Sequence, residues 1–236
     1  MATKRTYGEA CRFAYALDIV GERWALLVVR ELLLGPKRFT DLRTSLPHAS
    51  SNILSERLRD LEQGGVIQRR KLPPPAASSV YELTEWGREL EPIVTKLGAW
   101  GARSPIPPES QEIGPDSIVL ALRSLFDPDA AGDLEATYAL QIGEERFRVE
   151  IAGGEVELAR DVPTEPLLSI AVPDAPTLAA ILTAQLPLDD ALASGAAQIE
   201  GSKQATKRFL RLFPMPEPCP GSSAPTEAMA SGSHGP

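Results

Sequence analysis

Residues 38–70 constrain this chain more than any other stretch, because they predict two short helices joined at a tight corner and followed by a strand. Their sequence is RFTDLRTSLPHASSNILSERLRDLEQGGVIQRR. Thr40 is a suitable N-cap for the first helix, and Pro47 ends it because proline cannot continue the hydrogen-bond ladder. Ser50 or Ser51 then caps the second helix. The order of helix, corner, helix and strand predicts a helix-turn-helix unit with a wing.

The second of these helices has one apolar and one polar face. Leu54, Leu58 and Leu61 recur at helical spacing, and Gly64-Gly65 supply the left-handed residue that stops the helix. The polar face carries short hydroxyl, amide and guanidinium side chains, which suit contacts to base edges and phosphates. These side chains belong to Ser51, Asn52, Ser55, Glu56 and Arg59, with Arg57 at the border of the face. A solvated surface helix has a similar composition, so the order of the elements carries the prediction of DNA binding.

The charge of the chain is divided unevenly between its two halves. The formal net charge of the 236 residues is −8, which by itself disfavours binding to nucleic acid. Residues 1–104, however, contain 16 Lys and Arg against 12 Asp and Glu, whereas residues 105–236 contain 8 against 20. This asymmetry predicts two modules with different partners, of which the first is mildly basic.

Several classes of protein are disfavoured by the composition. No run approaches the roughly 20 apolar residues of a membrane span, and residues 1–13 lack the apolar core of a signal peptide. Two cysteines do not make a disulfide framework, so a cytoplasmic protein is expected. There is no cysteine and histidine cluster with metal spacing, no Ser-His-Asp set and no phosphate loop. We therefore expect no enzyme, no metal and no cofactor.

The first module has further helices on either side of the corner. Helices are predicted at 7–20, 22–34 and 84–102, and a hairpin of two strands at 66–72 and 80–83. The helix at 22–34 is apolar on almost every face and should be buried. Thr84 can cap the last helix, in which Pro92 predicts a kink. The hairpin tip at 73–79 is too rich in proline to pair.

These residues resemble a known family. The string from Cys11 to Arg70, followed by VYELTEWGREL and LGAWG, is similar to the HxlR family of bacterial transcription regulators, which are winged helix-turn-helix proteins related to the MarR group. The resemblance covers about residues 7–102. It implies a homodimer formed by the first and last helices, with the helix at 50–63 in the major groove of double-stranded DNA and the wing on the adjacent backbone or minor groove. The candidate DNA contacts are Arg38, Thr40, Ser50, Ser51, Asn52, Ser55, Arg57, Arg59, Arg69, Arg70 and Lys71.

Some of these side chains have two interpretations. The basic run Arg69-Arg70-Lys71 contacts phosphates or is simply solvated. His48 at the corner is interpreted as an exposed turn residue in preference to a phosphate contact. Cys11 matches a cysteine with which some members of the family sense oxidants or electrophiles, a role that needs a lowered pKa and access to solvent. A structural or silent thiol is the alternative for Cys11, and Cys219 in the tail is expected to be inert.

The second module is predicted to be a sheet with one face covered by helices, which makes the whole chain α+β. Strands are predicted at 133–142, 145–151, 155–159, 167–172 and 197–201, and helices at 117–126, 175–185, 189–195 and 203–213. The predicted divisions of the chain are a DNA-binding domain at 1–103, a proline-rich linker at 104–115, a second domain at 116–214 and a disordered tail at 215–236.

Residues 115–214, with LPLDDALASGAAQIEGSKQATKRFLRLF, resemble the C-terminal part of the sterol carrier protein fold. This implies an apolar pocket between the sheet and the helices, with a hydrophobic small molecule as effector. The pocket would be lined by Tyr138, Phe147, Leu178, Ile181, Leu182, Phe209, Leu210 and Phe213. A packed core that serves only for dimer contacts is the alternative. The chain is thus predicted to be a dimeric DNA-binding regulator, or alternatively a carrier of hydrophobic molecules whose helix-turn-helix is structural.

Overall fold

The computed structural model describes residues 6–73, 78–104, 112–217 and 219. The tip of the wing, most of the linker and most of the tail lie outside the described residues. The elements in chain order are α1 (Arg12–Val20), α2 (Ala25–Leu33), α3 (Phe39–Ser45), α4 (Ser51–Gln63), β1 (Ile67–Lys71), β2 (Ser79–Leu83), α5 (Glu85–Arg88), α6 (Glu91–Gly101), α7 (Pro115–Leu125), α8 (Pro128–Ala131), β3 (Ala136–Ile142), β4 (Glu145–Ala152), β5 (Glu155–Ala159), β6 (Leu168–Val172), α9 (Ala175–Leu182), α10 (Leu188–Ala193), β7 (Gln198–Glu200) and α11 (Lys203–Arg211). These elements confirm the α+β class.

The N-terminal half, residues 6–104, is built around α2 and the leucine face of α4. Val28 and Val29 of α2 are fully buried, and Leu54, Leu58 and Leu61 of α4 pack into the same core. Burial of the three leucines at the predicted spacing fixes the rotation of α4 about its axis. The opposite face of α4 is therefore left to solvent.

The ends of α3 and α4 are set by different capping groups. Ser50 is the N-cap of α4, and its hydroxyl accepts a hydrogen bond of 3.3 Å from the amide of Ile53. Gly65, at φ 74°, supplies the left-handed residue after α4. The prediction for Thr40 was wrong, because α3 begins two residues earlier than that cap implies, with Arg38 as its N-cap. The carboxylate of Asp41 accepts from the Arg38 amide at 2.9 Å, so that Asp41 provides the capping acceptor.

The predicted kinked helix at 84–102 is two separate helices, α5 and α6. Thr84 is confirmed as a cap, since its hydroxyl accepts from the Gly87 amide at 2.9 Å. Pro92 lies in the first turn of α6, where its missing N–H has no intrahelical partner to lose. The chain therefore bends before the proline, and α6 itself runs without a break. The first helix of the chain is also shorter than expected, because α1 begins at Arg12.

The C-terminal half, residues 112–217, contains a five-stranded sheet in the order β5-β4-β3-β6-β7. Strands β3 and β6 are parallel, and every other neighbouring pair is antiparallel. The inward side chains alternate as predicted, with Tyr138, Leu140 and Ile142 of β3 all buried. Helices α7, α9 and α11 contribute the buried residues that cover this face.

The residues of the predicted apolar pocket form a packed core. Phe209 lies between two other rings, at centroid distances of 4.9 Å from Tyr138 and 5.1 Å from Phe213. Most members of the set are buried, and two are half-buried: Tyr138, Phe147, Leu178, Ile181, Phe209 and Phe213 are buried, Leu182 and Leu210 half-buried. Three of these rings thus contact one another between the sheet and the helices. This arrangement favours the packed-core alternative, and the pocket itself stays a prediction.

The two halves are packed against each other across the end of α2 and along α6. Leu34, which follows α2 directly, is buried in the core of the C-terminal half. Helix α6 approaches α7 so closely that a Cβ added to Gly98 would lie 2.8 Å from the Ser124 hydroxyl oxygen. Glu91 and Arg123 form an ion pair across the same two helices. The C-terminal half thus has a defined position on the N-terminal half.

A cluster of buried charges lies between the halves. The Lys37 Nζ is 2.5 Å from Glu31 Oε2 and 2.7 Å from Asp116 Oδ2, and these three residues are only 8%, 1% and 3% exposed. Arg30 donates to Glu31 at 2.7 Å, and Arg160 donates to Asp116. Cations and carboxylates alternate through the cluster. Each buried charge therefore has an opposite charge beside it, which offsets its loss of hydration.

The pKa of Glu31 predicts a pH dependence of stability. Burial by itself raises this pKa, but the charges of and hydrogen bonds from Lys37 and Arg30 outweigh it and leave the pKa below its usual value of 4.5. A carboxyl with a lowered folded pKa contributes stability that is complete above its unfolded pKa and is lost as the pH falls through the folded pKa. We expect the free energy of unfolding to decrease below pH 4.5, and less steeply in Glu31→Gln.

Urea unfolding between pH 7 and pH 3 measures this effect. Glu56→Gln is the matched control, because Glu56 is an exposed glutamate on α4. Its pH profile should follow that of the wild type. Parallel profiles for the wild type and Glu31→Gln would contradict the assignment of the acid-sensitive term to Glu31.

Candidate nucleic-acid interface

The exposed face of α4 presents most of the predicted base-contacting residues together. It is oriented by the buried leucines on the other side of the helix. Its exposed members are Ser51, Asn52, Ser55, Glu56 and Arg59. The Ser55 hydroxyl donates to the Ser51 carbonyl at 2.7 Å, which leaves its lone pairs available to a donor. Asn52 and Arg59 carry the side chains best suited to bidentate contacts with base edges.

Arg57 does not belong to this face. It is only 9% exposed, and its Nη1 lies 2.9 Å from Asp60 Oδ2 on the same helix. The reason is visible in the spacing, since position 57 falls three residues after Leu54 and four before Leu61. Arg57 is therefore on the apolar side of α4, where it stabilises the helix. The prediction of Arg57 as a DNA contact was wrong.

Ile53 is a residue of this face that the sequence analysis missed. It is 40% exposed in the first turn of α4, next to Asn52. The available signal was an apolar side chain lying off the leucine stripe. An exposed isoleucine on a polar helix face is suited to contact the methyl group of thymine.

The start of α3 and the corner contribute smaller polar groups. Arg38 and Thr40 are both exposed, and the Thr40 hydroxyl donates to Asp41 at 3.2 Å. His48 is exposed as predicted, but its Nε2 lies 2.8 Å from Glu112 Oε2, just before α7. The corner thus contacts the segment before α7 through His48, while the His48 side chain itself stays exposed.

The wing holds two differently placed groups of cations. The Arg70 Nε lies 2.9 Å from Glu82 Oε2 on the paired strand. Burial raises the pKa of Glu82, but hydrogen bonds from Arg70 and Gln68 outweigh it and leave the pKa below its usual value. Arg69 lies over the Tyr81 ring at 5.9 Å from its centroid. Arg70 is thus paired with Glu82, whereas Arg69 has no ion pair with a carboxylate among the described residues.

Lys71 follows at the end of β1 and is exposed. It has no ion pair with any carboxylate in the part of the chain that the structure describes. Arg69 and Lys71 are two residues apart on one strand, so they lie on the same face of the wing. The predicted basic run is in this way divided into Arg69 and Lys71 on one face and Arg70 on the other.

Cys11 is the N-cap residue of α1 and is exposed. The backbone amides of Ala14 and Phe13 lower the pKa of its thiol, as the N-terminus of a helix commonly does. Because Cys11 is exposed, it does not pack in the core. A silent surface thiol and a sensing thiol are both compatible with this position. Cys219, predicted to be inert in the tail, donates its backbone amide to the Arg103 carbonyl at 2.9 Å, just past the end of α6.

Large apolar side chains are exposed on α1, on α6 and beside them. Phe13 is 72% and Trp100 69% exposed, which is unusual for residues of this size. The others are Tyr7, Tyr15, Leu27, Ile93 and Leu97. None of the residues of α6 is buried. Exposed apolar side chains of this size and number are typical of an interaction site.

Sites of other kinds are scarce among the described residues. Their His, Cys, Asp and Glu side chains do not gather in groups of three or more that could hold a metal ion. Within the same ranges no helix combines the length and apolar character needed to cross a membrane. A shallow depression of about 270 Å³ on the outer face of the sheet has a floor of Ala139, Ser169 and Ala171.

Comparison with known proteins identifies the N-terminal half. Residues 19–107 match the HxlR-like helix-turn-helix family. The regulator YvaP of Bacillus subtilis, named an uncharacterized HTH-type transcriptional regulator, is 41% identical over 93 residues, which are 39% of this chain and 86% of YvaP. The HTH-type transcriptional regulator YodB of the same organism is 36% identical over 85 residues, 36% of this chain and 76% of YodB.

Among solved structures, the redox regulator HypR in its oxidized form is 32% identical, with a TM-score of 0.39, and is covered completely by 41% of this chain. The family match ends at residue 107, so the likeness of the C-terminal half to sterol carrier proteins stays a prediction. The exposed face of α4, the wing, the family match and the two similar regulators of Bacillus subtilis agree on one conclusion. The chain belongs to the HxlR-like helix-turn-helix family and is a DNA-binding transcriptional regulator.

Proposed function

We propose that this regulator acts as a homodimer on a pseudo-palindromic operator, with α4 in the major groove and the wing on the adjacent backbone. The observation that carries the proposal is the exposed face of α4. Its leucines are buried on one side, so that Asn52, Ile53 and Arg59 are held on the other. The first turn of α4 is also exposed at Ser51 and Asn52, and the positive end of the helix dipole favours a phosphate there.

A homodimer is supported by the exposed apolar residues on α1 and α6. Phe13, Leu97 and Trp100 would remain in water in an isolated chain, at a cost of roughly 25 cal/mol for each Å² of apolar surface. A two-fold interface buries the same patch on both copies. It also places two α4 helices on one side of the DNA, about 34 Å or a multiple apart along the duplex.

The carrier alternative has less support. A carrier of hydrophobic molecules needs apolar space between the sheet and its helices. In this protein the rings of Tyr138, Phe209 and Phe213 occupy that region in contact with one another. The exposed polar face of α4 also has no role in a carrier.

The first test addresses base contacts. Asn52→Ala and Arg59→Ala should each weaken operator binding by about 1–3 kcal/mol, because each removes a side chain that contacts base edges. Footprinting of the wild-type protein on its own upstream DNA first locates an operator, and fluorescence anisotropy with that operator measures the change. Gln63→Ala is the control, since Gln63 is exposed at the far end of α4 and should not alter the affinity. Unchanged affinity in both test variants would mean that α4 does not contact bases.

The second test concerns the wing. Arg69→Ala and Lys71→Ala should weaken all DNA alike, and each should flatten the log–log salt dependence of binding by about 0.9. Arg70→Ala is a control on the same strand, with a smaller expected effect because Glu82 already offsets its charge. Affinities for operator and random DNA, measured between about 50 and 200 mM salt, give these slopes. A larger loss for Arg70→Ala than for the other two would contradict the division of the wing.

The third test concerns the dimer. Leu97→Glu places a charge in the exposed apolar surface of α6, and the cost of burying that charge should shift the protein to a monomer. Light scattering after size exclusion measures the mass. Val162→Glu is the control, because Val162 is 58% exposed in the C-terminal half, away from α1 and α6. A dimer that persists unchanged in Leu97→Glu would place the interface elsewhere.

A further inference from the structure

Lys37 occupies a position from which it can orient both parts of the DNA-binding surface. Its amide donates to the Tyr81 carbonyl at 3.0 Å, and its carbonyl accepts from the Tyr81 amide at 2.8 Å. Lys37 is therefore joined to the wing strand β2 by a pair of backbone hydrogen bonds. The next residue, Arg38, is the N-cap of α3. A displacement of Lys37 would change the wing and the helix-turn-helix together.

The side chain of Lys37 is held by oxygens from both halves of the protein. Glu31 at 2.5 Å and the Ser45 hydroxyl at 3.2 Å belong to the N-terminal half. Asp116 at 2.7 Å is contributed by α7 of the C-terminal half, as an ion pair without the alignment of a hydrogen bond. A buried ammonium group needs such partners, because each one replaces lost hydration.

Asp116 is in turn held by the sheet of the C-terminal half. Arg160, which follows β5 directly, donates to Asp116 Oδ1 and also to Glu145 of β4. The guanidinium of Arg160 lies over the ring of Phe147, 5.0 Å from its centroid. A continuous series of charged contacts therefore connects the sheet with the start of α3.

We propose that Asp116 is a positioning residue for DNA recognition, through which the C-terminal half holds Lys37 and so fixes the wing relative to α3 and α4. The inference rests on the proposed function, because it concerns the geometry of the same DNA-binding surface. Asp116 itself does not contact DNA. Sequence-specific binding requires α4 and the wing to reach the groove and the backbone at the same time, whereas non-specific binding requires only the cations.

The positioning role is therefore tested by the ratio of operator affinity to random-DNA affinity. The full-length variant Asp116→Asn keeps the shape of the side chain and removes its charge. The ratio of operator affinity to random-DNA affinity should fall about 2- to 30-fold, as expected for a substitution that disturbs coupling between two sites. The affinity for random DNA and its salt slope should stay unchanged. Titration with excess operator gives the active fraction, so that unfolded protein does not enter the ratio.

Two further variants separate positioning from loss of stability. Arg160→Gln leaves the Lys37–Asp116 pair in place and releases Asp116 from the sheet, and it should lower the same ratio by a smaller factor. Leu178→Ala removes a buried side chain of α9, away from the charged cluster. It should lower the melting temperature of the protein and keep the ratio at the wild-type value. Arg160→Gln also keeps the test decisive if Asp116→Asn does not fold.

The outcomes are distinct. An unchanged ratio in Asp116→Asn, or in Arg160→Gln if that is the folded variant, overturns the positioning role while the proposed function stands. An equal fall in Leu178→Ala overturns it as well, because general destabilisation would then explain the loss. A wild-type protein without preference for any operator overturns the proposed function and this inference together.

Discussion

The buried pairing of Lys37 with Glu31 and Asp116 is the interaction on which the relation of the two halves depends. A lone lysine in this position would lose its hydration without compensation, and two adjacent carboxylates without the lysine would repel each other. The C-terminal half contributes Asp116, which lies beside both Lys37 and Arg160. Because Asp116 has to meet both cations, the cluster restricts the orientation of the two halves as well as joining them.

The apolar contacts beside the cluster act in the same direction. Leu34 extends from the end of α2 into the core of the C-terminal half, and Gly98 allows α6 to approach α7 closely. Hydrophobic burial supplies most of the favourable free energy in such an interface, whereas the charges exclude alternative registers. The acidic C-terminal half is consequently attached to the basic half at a defined place, and it leaves the α4 face and the wing exposed.

What remains on the surface of the N-terminal half explains its function. The polar face of α4 and the cations Arg69 and Lys71 are exposed, and so are large apolar residues of α1 and α6. In the proposed function the first group contacts DNA and the second contacts another copy, and because the two groups are on different elements the proposed dimer leaves the DNA-binding face free. The core of the C-terminal half is closed by the rings of Tyr138, Phe209 and Phe213, which favours a structural role for that half.

Local patterns in the sequence determined much of this protein. The leucine spacing of α4, the Ser50 cap, the glycine stop, the alternation along β3 and the family resemblance are all properties of neighbouring residues, and the structure agrees with them. Even the wrong assignment of Arg57 was avoidable, since its spacing from Leu54 and Leu61 places it on the apolar side.

Only the tertiary structure decided which charges are free and which are buried. Glu31, Lys37 and Asp116 are separated along the chain by stretches that contain many similar residues, and no local periodicity marks them as partners. Arg70 is offset by Glu82 because the register of the hairpin brings the two together. The apolar residues at 178–213 were recognisable from sequence as inward-facing, but whether they enclose a cavity depends on how closely the helices approach the sheet. Ion pairing and cavity volume arise from distances between remote segments, and a linear pattern does not contain those distances.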